Sequence, residues 1–111
     1  MGSRPRTYSR PSRLAVEVLG AMIANARRER RWTARDLAAR AGISVQTLRN
    51  VERGEPTVAI GVVFEIAALL GIPLFSDDRG AVSELRVGES RRALLLPQRV
   101  RASKGVVDDN F

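Results

Sequence analysis

The stretch Thr33 to Gly54, TARDLAARAGISVQTLRNVERG, constrains the fold most, because it specifies two short helices and the turn between them. Thr33 and Asp36 fit a capping box, in which each side chain bonds a backbone N–H otherwise left free at a helix start, so a helix is expected from Ala34. Leu37, Ala38 and Ala41 share its inner face. Gly42 stands where that helix must stop and turn, since glycine takes a left-handed conformation without strain, and Ser44 caps a second helix from about Val45 to Arg53.

With about 100° between successive residues, Leu48, Val51 and Glu52 of the second helix face inward, while Gln46, Arg49, Asn50 and Arg53 face outward. The outer face consists of amides and guanidiniums. In a major groove, Gln or Asn can grip adenine and Arg can grip guanine through paired hydrogen bonds. The competing reading is an ordinary solvated face, and the short preceding helix with its AGIS turn argues against it.

Residues 18 to 75 resemble the helix-turn-helix of the lambda-repressor-like (Cro/cI, XRE) family. The resemblance rests on Arg27 in the first helix, Thr33 opening the second, LAARAGIS across the turn, then TL, ERG and an amphipathic helix ending in LLG. It implies a DNA-binding domain of four to five helices, mainly α. Two positions depart from the pattern. Ala34 replaces a usual phosphate-binding Gln, and Arg31 replaces a usual glycine, which leaves Arg31 or Arg35 to supply that phosphate contact electrostatically. The DNA-contacting set expected is Gln46, Arg49 and Asn50 on bases, with Ser44, Thr47, Arg53 and Arg35 around them, chiefly on phosphates.

The chain of 111 residues suits one small domain with tails. It has no cysteine and no histidine, which removes thiol and imidazole catalysis and the common zinc sites, so no enzyme, cofactor or metal site is expected. The formal charge is +7, and its placement matters more than its size. Residues 1–71 carry 12 basic and 6 acidic side chains, residues 72–111 carry 7 and 6. Such an excess beside the two-helix stretch favours a polyanion, with salt-sensitive binding.

An Arg-rich start followed by LAVEVLGAMI and Ala24-Asn25-Ala26 imitates a secretory signal, but Glu17 interrupts the apolar region and no run approaches the ~20 apolar residues of a membrane span. Arg6 likewise breaks a myristoylation pattern at Gly2. A cytoplasmic, nucleoid-associated protein is expected.

Residues 1–12 have two prolines and three arginines with no acid and read as a flexible basic arm, either a tail or a tracker of DNA phosphates. Residues 13–76 read as the DNA-binding domain. Its first helix is expected from about Arg13 to Arg30, with Leu19, Ile23 and Ala26 on one face. Arg27 continues that apolar face and needs a partner, and Glu52 is the one inward acid of the second turn helix, so the two are expected to pair as a structural link. Trp32 reads as a lid over the core.

A further helix is expected from about Val58 to Leu70, closed by Gly71, with Ile60, Val63, Ile66, Ala67 and Leu70 toward the core. Gly61, Val62, Ala68 and Leu69 make its other side apolar or small as well, which points to a protein partner, first of all a second copy. Leu74 and Phe75 should pack on the domain. Residues 77–97 read as a dimerisation or partner segment: Asp77 or Asp78 caps a helix over 79–87 that ends at Gly88, and 93–97 reads as a short strand pairing with a dimer mate. Residues 98–111 read as a flexible tail.

The later sequence, PTVAIGVVFEIAALLGIPLF, LLPQRVR and a terminal DDNF, resembles the HipB-like branch of the family, with Asn110 where Asp is more usual. That resemblance implies an antitoxin that binds a HipA-like kinase toxin and represses its own operon as a homodimer on an inverted-repeat operator. Asp108, Asp109 and Phe111 then become candidates for contact with the toxin. The alternative is a stand-alone or phage-type repressor without a toxin.

Overall fold

The computed structural model describes residues 6–76, 78–100 and 102, which fall into two units divided at Asp77. The first holds four helices: α1 (Arg10–Glu29), α2 (Ala34–Ala41), α3 (Val45–Glu52) and α4 (Ile60–Leu70). The second holds α5 (Arg79–Leu95). Among the described residues there is no strand, and the fold is mainly α.

α2 and α3 have eight residues each, too short to persist alone, so their stability comes from caps and burial. Thr33 Oγ1 accepts from the Asp36 N–H at 3.1 Å, and Asp36 Oδ2 accepts from the Thr33 N–H at 2.8 Å, completing the capping box. Ile23, Leu37, Leu48 and Ile66, one from each helix, are fully buried and meet in a single core with Ala38, Val51 and Leu70. Each of those four contributes about 1.5–3 kcal/mol of burial. Trp32 packs against the same core as a half-buried lid, with the Arg40 guanidinium 4.2 Å from its ring centre.

α1 begins at Arg10, so residues 10–12 of the expected arm are helical. Pro11 does not prevent this, because it sits in the first turn, where a helix has no use for the N–H that proline lacks, and Ser9 caps from outside by accepting the Ser12 N–H at 3.3 Å. α4 begins at Ile60 behind Ala59, two residues later than expected, and Ile60 is 75% exposed where core packing was expected. It lies about 120° around the helix from Ile66, at the uncapped first turn. Val62, Val63 and Leu69 pack against the core edge, leaving Gly61, Phe64 and Ala68 on the exposed side. Leu74 is half-buried, but Phe75 is 74% exposed and stacks on Phe64 with ring centres 6.0 Å apart.

α5 is capped by Asp78, whose Oδ1 accepts the Gly80 N–H at 2.9 Å. It runs through Gly88 to Leu95, against the expected stop. Gly88 is not among the positive-φ glycines, and a glycine without that conformation weakens a helix without ending it. Ala93, Leu94 and Leu95 are accordingly helical, not a strand, and Leu96 leaves the helix in extended conformation. The reason is local: a helix satisfies its backbone within one segment, whereas a strand needs a neighbour to pair with. Asp77 lies outside the described residues, as do Asp108, Asp109 and Phe111.

Candidate nucleic-acid interface

Three glycines in the left-handed region shape the domain, and Gly42 (φ 70°) is the one that aims α3. Its backbone closes α2, and the Ile43 N–H bonds the Ala38 carbonyl at 3.0 Å. Ser44 then starts α3 by accepting the Thr47 N–H at 3.0 Å, while its own hydroxyl donates to Thr47 Oγ1 at 2.9 Å. Both hydroxyls are thus engaged in the cap. Leu48 and Val51 are buried, which turns Gln46, Arg49 and Arg53 outward as exposed side chains, with Asn50 and Thr47 half-buried between them and the core.

The outer face of α3 is internally ordered. Gln46 Nε2 donates to Asn50 Oδ1 at 3.0 Å, and Arg53 Nη2 donates to the same oxygen at 2.5 Å. That oxygen therefore already accepts two hydrogen bonds, its full complement. A paired grip of adenine by Asn50 requires release of one of them, whereas the Gln46 carbonyl and the Asn50 amide hydrogens remain available.

Arg27 holds this helix against α1. Its Nε donates to Glu52 Oε2 at 2.7 Å, its Nη2 to Oε1 at 3.1 Å, and its Nη1 to the Trp32 carbonyl at 2.9 Å. The two side chains are only 13% and 12% exposed. The Glu52 hydrogen bond pushes the Arg27 pKa above its ordinary value, against an opposing effect of burial, so the guanidinium stays charged.

Close approach of the two helices depends on Gly20. A Cβ there would meet the Val51 carbonyl oxygen at 2.5 Å and that of Glu52 at 2.9 Å. At the far end of α1, Arg31 adopts φ 57°, the one described non-glycine in the left-handed region, as the chain reverses and the Trp32 N–H bonds the Arg27 carbonyl at 3.1 Å. A glycine would be expected at this position on backbone grounds alone.

Arg35 is exposed in the first turn of α2, where the helix dipole disfavours a cation. Sequence reasoning passed over Asn25 and Arg28 of α1, which line a cleft with Arg49, Glu52 and Arg53. The sequence shows only that Arg28 follows Arg27; that it stands beside α3 depends on how the helices pack.

No helix among the described residues is long and apolar enough to cross a membrane. No curated protein and no solved structure matches the chain. A family model described as Helix-turn-helix matches residues 23–75, from the buried Ile23 of α1 to Phe75 after α4. The match falls on the α2–α3 turn at Gly42 and the polar outer face of α3, so family model and geometry agree on a helix-turn-helix within residues 23–75, and this is the likeness from which a DNA-binding role is argued.

Proposed function

We propose that the protein is a sequence-specific transcriptional repressor that places α3 in the major groove, with Gln46, Arg49 and Asn50 reading bases and Arg35, Thr47 and Arg53 holding phosphates. The observation that carries this reading is the outer face of α3, where amides and guanidiniums stand together on a helix whose other face is locked into the core. Two copies would bind an inverted repeat, one α3 per half-site, with half-sites about one turn of DNA or a multiple apart, roughly 34 Å. The exposed Ile60 and Phe64 of α4, with Phe75 after it, support dimerisation, since apolar side chains grouped in this way favour a protein partner. Selection from random duplexes followed by footprinting tests the reading: a protected inverted repeat is expected, and a single unrepeated site bound by a monomer would reject it.

The resemblance of residues 56–75, 95–101 and 108–111 to HipB-like antitoxins supports a finer reading, in which the chain also binds and neutralises a HipA-like kinase toxin. In that reading Phe111 supplies apolar burial in the toxin, and Asp108 and Asp109 meet basic groups around it. A kinase gene beside this one and co-purification of its product would support it; their absence would leave the stand-alone repressor. Deletion of 105–111 should weaken neutralisation while leaving operator affinity nearly unchanged.

A further inference from the structure

We infer that the cleft between α1 and α3 is a phosphate-binding site, built by Asn25 and Arg28 of α1 with Arg53 at the C-cap of α3, beside the base-reading Arg49. The inference rests on the DNA-binding reading and extends it from α2 and α3 to α1. The cleft has a volume of about 400 Å³, and it exists because α1 carries the small residues Ala21 and Ala24 where it faces the end of α3.

The charge balance decides what it can hold. Glu52 is the only acid lining the cleft, and both of its oxygens are taken by Arg27. Among the described residues, the Arg28 and Arg49 guanidiniums have no hydrogen-bond or ion-pair partner, and the Arg53 guanidinium bonds only the neutral Asn50. The plainest alternative is that Arg28 and Arg49 merely offset the helix dipoles, since each lies in the last turn of its helix. Two helix C-termini carry together about one negative charge, against which three guanidiniums leave roughly +2. That surplus, with the Asn25 amide as a neutral donor, suits a phosphate. Arg49 and Arg53 also stand on the outward side at the end of α3, so the cleft adjoins the side chains proposed to read bases.

Phosphate chemistry has two sources, the duplex backbone or a free polyphosphate, and the structure favours the backbone because the cleft shares Arg49 and Arg53 with the recognition helix. The full-length protein is titrated onto a 30-base-pair duplex of arbitrary sequence across a salt series, as wild type, Arg28→Gln, Asn25→Ala, and Arg92→Gln on α5 as a charge control. Arg28→Gln should reduce the slope of log K against log salt by about 0.9, the value of one lost phosphate, with an unchanged melting curve, and Arg92→Gln should not. Asn25→Ala should weaken binding with little change of slope. An equal fall in slope for Arg92→Gln, or none for Arg28→Gln while the wild type binds steeply with salt, would overturn the cleft alone. A wild type that binds no duplex would remove the DNA-binding reading along with it. Tripolyphosphate that shifts the Arg28 and Arg49 side-chain resonances as strongly as the duplex does would reassign the site to a free anion.

Discussion

Arg27 and Glu52 face each other across 25 residues of sequence and join through two parallel hydrogen bonds of 2.7 and 3.1 Å, so that α3 is pinned to α1 by the same guanidinium that holds the Trp32 carbonyl. Removal of either partner strands a largely buried charge. Arg27→Ala or Glu52→Ala should cost about 3 kcal/mol, the lower end of the range for buried pairs, and the double mutant should recover part of it. Thermal melts followed by Trp32 fluorescence check this. Equal midpoints for wild type and both single variants would show that the pair contributes nothing.

Two glycines should respond in opposite directions. Gly20→Ala drives a methyl into the Val51 and Glu52 carbonyls and should destabilise by about 1–3 kcal/mol. Gly61→Ala meets nothing within 4 Å, lies inside α4 without positive φ, and should stabilise by about 0.5–1 kcal/mol. Urea unfolding of the two variants settles the signs.

The strained position at the end of α1 gives a third outcome. Arg31→Gly relieves a left-handed arginine and should stabilise by up to about 1 kcal/mol. If Arg31 also meets a phosphate, the same variant should bind DNA more weakly at low salt while melting higher, a divergence that a purely structural role would not produce.

If the outer face of α3 reads bases as proposed, Gln46→Ala and Asn50→Ala should each cost about 1–3 kcal/mol on the preferred site and relax it at one position, whereas Arg35→Ala should weaken every sequence alike. Asn50→Ala should also free Gln46 and Arg53, which now share its oxygen. Competition binding against single-base variants of the selected site separates these cases. Unchanged preference in both amide variants would move base reading off this face.

Acid should loosen α2 through its cap. The Thr33 backbone N–H, then the Thr33 side chain, then the nearby Arg40 and Arg35 charges hold the Asp36 carboxyl below its ordinary range. A carboxyl lowered on folding stabilises fully above its unfolded value of about 3.9 and loses that contribution as pH falls through the folded value. Stability of the wild type should therefore decline below about pH 4 more steeply than that of Asp36→Asn. Parallel curves would show that the cap is not titrating.

Sequence alone determined the local devices, because each is encoded within three or four residues: the Thr33/Asp36 box, the reversal at Gly42, the Ser44 cap, and the division of α3 into a buried Leu48 side and an outward Gln46 side. Even the Arg27 pairing was legible, since a cation on an apolar stripe needs an acid and Glu52 was the inward one available. Elsewhere local signals misled. Pro11 and Gly88 looked like boundaries, yet a proline in a first turn and a glycine with ordinary helical φ interrupt nothing, and the apolar run at 93–97 had no period by which to distinguish helix from strand. Only the tertiary structure decided that Gly20 must be small, that Ile60 turns to solvent, that Arg31 is left-handed, and that Arg28 stands beside Arg49. Those facts depend on the distance and angle between α1, α3 and α4, which are set by the simultaneous packing of Ile23, Leu37, Leu48 and Ile66 and are written in no single stretch of the chain.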